Sequence, residues 1–440
     1  VRRLLVIVLL ASIWFVSACS GGNATGTAGT NPNAASDKGS ATEKKDPKDI
    51  KPASLRFAIW DENQKSAMDA IVKKFNEKYP QIEVQVELIA PLTQYLLKLE
   101  TSATGRSAPD VFWMNAQYFY KYARNGILEP LSDLIKRDQF DTKLIYPNLM
   151  QMFTDKGQVF AIPKDYDSMG LWYNKAMFDE AKIPYPDDTW DWNKLVEVSK
   201  KLTNPSKGVW GFAAQAGDRY SFYNTIPQNG GKIIKADGTS GYDSPEAIEA
   251  VKYWTDFIHV HKVSPTLEQM TDTTALNMFK TGKVAMVIDG SWKASELAED
   301  AYTSKNADVA VLPKGKQRAT SGNSLAYAMY SGSKNKEQAW EFMKFLGSKE
   351  AAEIQAVHRA VIPSHIGSES AWIQSMPQFK LQVFADMAKY IEIVPTSVET
   401  AKWKAVATKQ FQRAWAGEIS VEEAAKLVAQ EMNTILKEEK

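Results

Sequence analysis

This chain predicts an α/β fold in two domains, and three observations carry that prediction. A strand, a helix and a second strand follow one another between residues 54 and 88, which is the order of a parallel βαβ unit. Similar alternations of strand-like and helix-like stretches recur as far as residue 436. About 390 residues follow a polar leader, too many for one ordinary core.

In the leader, Arg2 and Arg3 precede "LLVIVLLASIWFV" (4–16), an apolar run with small residues after it, which is the pattern of a secretory signal peptide over residues 1–18. The run is shorter than the ~20 residues of a membrane-spanning helix. Cys19 is the only cysteine, so it has no partner for an internal disulfide and makes a poor start for a zinc site. Val16-Ser17-Ala18-Cys19 resembles the bacterial lipobox, whose cysteine is lipidated and becomes the mature N-terminus. Cys19 is therefore expected to be a membrane anchor. The remainder of 19–52 holds almost no large apolar residue and reads as a flexible tether. The 53 basic residues are matched by 52 acidic ones, so the basic excess of a nucleic-acid-binding protein is missing.

The body opens with "SLRFAIW" (54–60), which alternates as a strand does. Met68, Ile71, Val72, Phe75 and Tyr79 recur at helical spacing, and Pro80 ends that helix. "IEVQVEL" (82–88) alternates again; a helix-like stretch at 91–104 leads to a third strand, "DVFWM" (110–114). Further strands are expected at "QVFAIP" (158–163) and "GVWGFAA" (208–214). Ser244 and Pro245 open a helix over 244–258, as N-cap and first helical residue. "TALNMFKTGKVAMVIDG" (274–290) reads as helix, glycine stop and buried strand, and 336–347 as a helix ending at Gly347. Ser420 and Glu423 form a capping-box pattern before the helix 420–436.

The familiar signatures of nucleophilic, phosphate-binding, dinucleotide-binding and zinc-protease chemistry are absent. His259 and His261 lie two apart near a helix end and point in different directions, which suits a solvated terminus better than a metal site. "DGTSGYD" (237–243) is explained by turn chemistry rather than calcium. Neither metal nor cofactor is expected. Aromatic side chains are plentiful, with 13 Trp, 17 Tyr and 18 Phe. Most should be core, Trp113 among them. Several, however, sit beside carboxylates and amides at strand ends: "WDENQ" (60–64), "WMNAQY" (113–118), "KDYD" (164–167), "DRYSFY" (218–223) and "DGSW" (289–292). An aromatic face covers the apolar face of a sugar ring, while Asp, Asn and Gln bond its hydroxyls, and in open α/β sheets ligands bind beyond the carboxyl ends of strands.

In order along the chain, "WDENQKSAMDAIVKKFNEKYPQIEV", "APDVFWMNAQYFYKYARNGILEPL", "GLWYNKAMFDEAKI", "MFKTGKVAMVIDGSW", "AVLPKG" and "AWAGEISVEEAAKLVAQEMNTIL" resemble the landmarks of family-1 extracellular solute-binding proteins, the sugar receptors of bacterial ABC importers. The resemblance runs from Leu55 to Leu436 and is maltose-binding-protein-like. It implies the type II periplasmic-binding-protein-like fold: two discontinuous α/β lobes, a hinge and a ligand cleft between them. The N-lobe would take 53–163 plus 325–366, and the C-lobe 164–324 plus 367–440. Carried over position by position, the resemblance puts ligand contacts at Glu62 and Asn63, flanked by Trp60, Asp61 and Gln64. A second contact loop would use Met114, Gln117 and Tyr118, with Asn115 nearby. Asp167 would be a hinge-side carboxylate with Asp165 beside it, and Asp218 and Tyr220 an acid–aromatic pair. Trp292 and Trp403 would stack on sugar rings, with Asp289 just before Trp292, and Arg359 would face the cleft. The expected partners are a carbohydrate, the permease subunits of an ABC importer and the membrane through Cys19. The expected location is the extracellular face of the cytoplasmic membrane, and the expected state a monomer that binds without catalysis. The residue pattern leaves other functions open: a secreted glycoside hydrolase using Asp167 and Asp218, a receptor for a non-sugar solute, or a glycan-binding adhesin.

Overall fold

The computed structural model describes residues 50–439. The expected signal peptide, Cys19 and nearly all of the expected tether therefore lie outside the described residues. Ile50, the first described residue, is packed in the first core, and its carbonyl accepts a hydrogen bond from Gln81 Nε2.

Strand β1 (Ala53–Ile59) runs parallel to β2 (Ile82–Leu88), in register Phe57 to Val86. The helix between them, Lys65–Lys78, buries Ala67, Met68, Ile71, Val72 and Phe75 on one face. Strand β3 (Val111–Asn115) adds in parallel on the other side of β1. Strand β4 (Ala161–Pro163) is the edge strand of the same sheet. It is only half of the stretch expected at 158–163, because Gln158–Val159 turns away to pair with Thr154–Asp155. Strands β5 (Met169–Asn174), β6 (Met286–Gly290) and β7 (Ala307–Ala310) build a second sheet, ordered β7-β5-β6 and antiparallel throughout. Strand β8 (Leu325–Met329) returns to the first sheet, which is ordered β2-β1-β3-β8-β4, and lies antiparallel to both its neighbours.

The fold is α/β and two-lobed. The period of two along β5 serves both cores: Met169, Leu171 and Tyr173 enter the second, while Trp172 packs into the first. Helices Pro245–His259, Thr400–Ala416 and Val421–Glu438 cover the second core with Trp254, Phe257, Phe411, Trp415, Val428 and Met432. Ser244 caps the first of these, accepting the N–H of Ala247, and Ser420 caps the last, accepting that of Glu423.

One expected strand is not formed. Residues 208–214 make isolated bridges only, Val209 to Asn204, Trp210 to Val284 and Ala213 to Val287. A Cβ on Gly211 would sit 2.0 Å from the carbonyl oxygen of Ser199, so the chain here is pressed against helix Trp192–Leu202 and cannot lie flat along β6.

Two of the three stretches expected to cross between the lobes are stitched to each other. Lys164 N–H donates to Leu325 O at 2.7 Å, and Asp167 N–H to Asn323 O at 3.0 Å. Ile362–Pro363 pairs with Asp165–Tyr166 alongside them. The ends of β1, β3 and β6 open onto the space beyond this junction.

Candidate functional site

A cleft of about 900 Å³ lies beyond those strand ends. On the first-lobe side, Trp60 leaves β1 and packs edge-on against Tyr95 and Trp113, with ring centroids 4.9 and 5.1 Å away. Asp61 then caps a one-turn 3₁₀ helix, Glu62–Gln64: its carboxylate accepts the Asn63 N–H at 3.0 Å and Gln64 Nε2 at 2.8 Å. The loop is held from below by Lys164. This buried ammonium donates to Gln64 Oε1 at 2.7 Å, pairs with Asp165, and stands 4.7 Å from the Trp113 ring.

From the second lobe, Trp292 rises in the turn after β6, and the Arg219 guanidinium lies over its ring at 4.7 Å. Arg219 is paired with Asp167, whose carboxylate also accepts the Asn323 N–H at 3.0 Å. Burial pulls the guanidinium pKa down, but Asp167 outweighs it, so the group stays charged with its pKa above the ordinary value. Its Nε–H is buried without a partner among the described residues. Asn115 Oδ1 accepts from the Gln117 N–H and from Asn323 Nδ2, tying the loop after β3 to the second crossing. Along the rim, Lys280, Lys293, Glu296, Glu299 and Asp300 face the cleft from the second lobe, with His358 and Arg359 from the first. Burial pushes Glu296 upward, yet hydrogen bonds from Lys293 and Lys280 hold its pKa below the usual value.

Of the residues singled out by sequence, Trp60, Asp61, Asn63, Gln64, Asn115, Asp165, Asp167, Trp292 and Arg359 line this cleft. Glu62 is exposed beside it on the same 3₁₀ turn. Asp165 is a structural member: one oxygen is taken by Lys164 and the other by the Leu325 N–H. Gln117 and Asp218 lie next to the lining residues Asn115 and Arg219, and both bond to Lys404. Tyr118 and Tyr220 are partly buried and lie near Asp218. Asp289 is buried at the end of β6, accepts its neighbour's Gly290 N–H at 2.8 Å, and burial raises its pKa to about 7.

Trp403 corrects an expectation. It is fully buried in the second core with its indole N–H donated to Ser397, so it offers no face to a ligand. Met114 is likewise core, since it points inward from β3. The residues that sequence reasoning passed over are Lys164, Arg219 and Asn323. The first two stand inside quoted stretches, "KDYD" and "DRYSFY", where a lone cation among carboxylates is the signal. Asn323 has no such signal, because its role comes from pairing two distant crossings.

The wall thus combines indole faces from both lobes with carboxamides, carboxylates and one stacked guanidinium. Such a set suits a neutral or weakly charged, hydroxyl-rich ligand with apolar faces. Residues 60–353 match the family described as bacterial extracellular solute-binding protein. The chain is 27 % identical over 300 residues to the maltodextrin-binding protein MdxE of Bacillus subtilis, covering 67 % of this chain and 66 % of that one. It is 23 % identical over 385 residues to the maltooligosaccharide ABC transporter solute-binding lipoprotein of Streptococcus pneumoniae, covering 86 % and 87 %. An ABC substrate-binding protein from Listeria monocytogenes, solved in complex with cycloalternan, superposes with a TM-score of 0.82 at 26 % identity over 88 % of this chain and 99 % of that one. The family pattern spans most of the chain and the two-lobed fold accompanies it: this protein belongs to the family-1 bacterial extracellular solute-binding proteins.

Proposed function

We propose that this chain captures a carbohydrate, an oligosaccharide by preference, between its two lobes and delivers it to the permease of an ABC importer, held at the outer face of the cytoplasmic membrane by a lipid on Cys19. The lobes would divide as 53–163 plus 325–366 and 164–324 plus 367–440. One observation carries the reading: Trp60 and Trp292 approach a single cleft from opposite lobes, with Asn63, Gln64 and Asn115 among them. Aromatic faces with amides between them fit pyranose rings, and closure about the hinge would bury the ligand. Relatives that bind maltodextrin and maltooligosaccharides support the sugar class. A binding role without catalysis is supported by the carboxylates Asp167 and Asp218, each of which carries a cation, Arg219 and Lys404. Both are held in ion pairs, which fits a binding wall better than the two unpaired carboxyl groups of a glycosidase.

The test is tryptophan fluorescence of the full chain titrated with maltose, linear maltooligosaccharides, cycloalternan and unrelated oligosaccharides. A saturable change is expected with at least one of them, and the sugar should be recovered intact. Trp292→Ala should weaken that binding by about tenfold, or ~1.4 kcal/mol, while melting stays cooperative. Cleaved sugar would make the protein a hydrolase, and silence across the panel would overturn the carbohydrate reading.

A further inference from the structure

Lys404 lies on helix Thr400–Ala416, one residue beyond the buried Trp403, and its side chain is mostly covered. The ammonium is 2.9 Å from Asp218 Oδ2 of its own lobe and 3.2 Å from Gln117 Oε1 in the loop after β3, across the cleft. The Tyr223 ring is 5.9 Å away on another side. Both acceptors are held in place. Gln117 is buried, with its backbone N–H on Asn115, and Asp218 also accepts the Arg219 N–H at 2.6 Å. A surface lysine would lose side-chain entropy for little return in one such geometry, whereas this one joins two lobes through fixed partners.

The position matters. Asn115 and Arg219 line the cleft, while Gln117 and Asp218, two and one residues away, do not. The lysine and its two acceptors therefore begin just beyond the lining at Asn115 and Arg219. Tyr118 of the first lobe is covered on the same side, close to Asp218. The opposite end is not bridged in this way: Arg359 of the first lobe and Glu299 of the second both face the cleft.

We propose that Lys404 is a specificity-determining residue: its ammonium bars the Gln117–Asp218 end of the cleft, fastens the lobes there without ligand, and confines a bound chain to the Trp60–Trp292 end. The fastening stands on the geometry alone; that the bound chain is a saccharide rests on the function proposed above. A ligand that reached past Asn115 would have to take over both bonds of the ammonium, so the barred end sets how far the chain extends.

The experiment compares the full chain with Lys404→Met, which keeps the apolar stem, and with Gln117→Ala, which removes only the first-lobe acceptor. Small-angle scattering of the ligand-free proteins should show a larger radius of gyration in both variants, with no further increase in the double variant. An unchanged radius in Gln117→Ala, or in a cooperatively melting Lys404→Met, would overturn the proposal. Should Lys404→Met fail to fold, Gln117→Ala decides it. Maltose and the longer linear maltooligosaccharides are then the probes for length. Lys404→Met should bind the next longer member at least tenfold better, relative to the shorter one, than the unaltered chain does; an unchanged length preference would overturn the specificity role. Should the unaltered chain bind none of these sugars, that would count against the carbohydrate reading, and the scattering result would still settle the fastening.

Discussion

Asp289 occupies a place where an aspartate is costly. It ends the central run of β6, is 3 % exposed, and has the N–H of Gly290 as its hydrogen-bond donor, with Lys293, Arg219 and Glu296 around it. Burial raises its pKa to about 7. Because the folded value lies above the unfolded one, the stability tied to the neutral form is complete below about pH 4 and is lost as pH rises through 7. Asp289→Asn removes that loss. The variant should gain stability on the unaltered chain between pH 4 and pH 8, by at most about 4 kcal/mol, measured by urea unfolding at each pH. A gap that stays constant with pH would contradict the raised value. The sequence reading put Asp289 among the ligand contacts, beside Trp292; its burial comes with the pairing of β6 to β5, which no local pattern encodes.

Elements were legible where local chemistry and tertiary need agreed. Ser244 with Pro245, the period of Met68 to Phe75, and the alternation in Ile82–Leu88 each point to one structure, and the protein forms it. The stretch 208–214 reads as a strand because Val209, Phe212 and Ala213 suit one, but Gly211 records another constraint. Gly211→Ala would drive a methyl into the Ser199 backbone and should cost about 2–3 kcal/mol, seen as a lower urea midpoint. An unaffected midpoint would mean that helix Trp192–Leu202 can move away freely. Trp403 went the other way: a tryptophan near the end of the chain can stack on a ligand or fill a core, and only the packing of Thr400–Ala416 on Val421–Glu438 decides for the core. Lys404, one residue along, shows how close the two fates lie.

At the scale of the molecule, sequence order and spatial order part company. The family resemblance conveyed the two lobes, but not the stitching of Asp167 to Asn323 or the reach of Lys404 across the cleft, because each joins residues more than 150 positions apart. The place of β8 carries a further consequence. This strand sits between β3 and β4, so the first sheet lacks an inner strand until residue 329 has been synthesised. A nascent chain must wait for its own later half before the earlier half can close, which keeps it loosely folded while it is being made. A chain ended at residue 320 should therefore be cut by protease within 53–163, although every residue of that stretch is present; resistance there would show that the sheet tolerates the gap. For a member of a family of extracellular proteins, delayed closure is an advantage: a chain that cannot finish folding early stays thin enough to be threaded through a translocation pore.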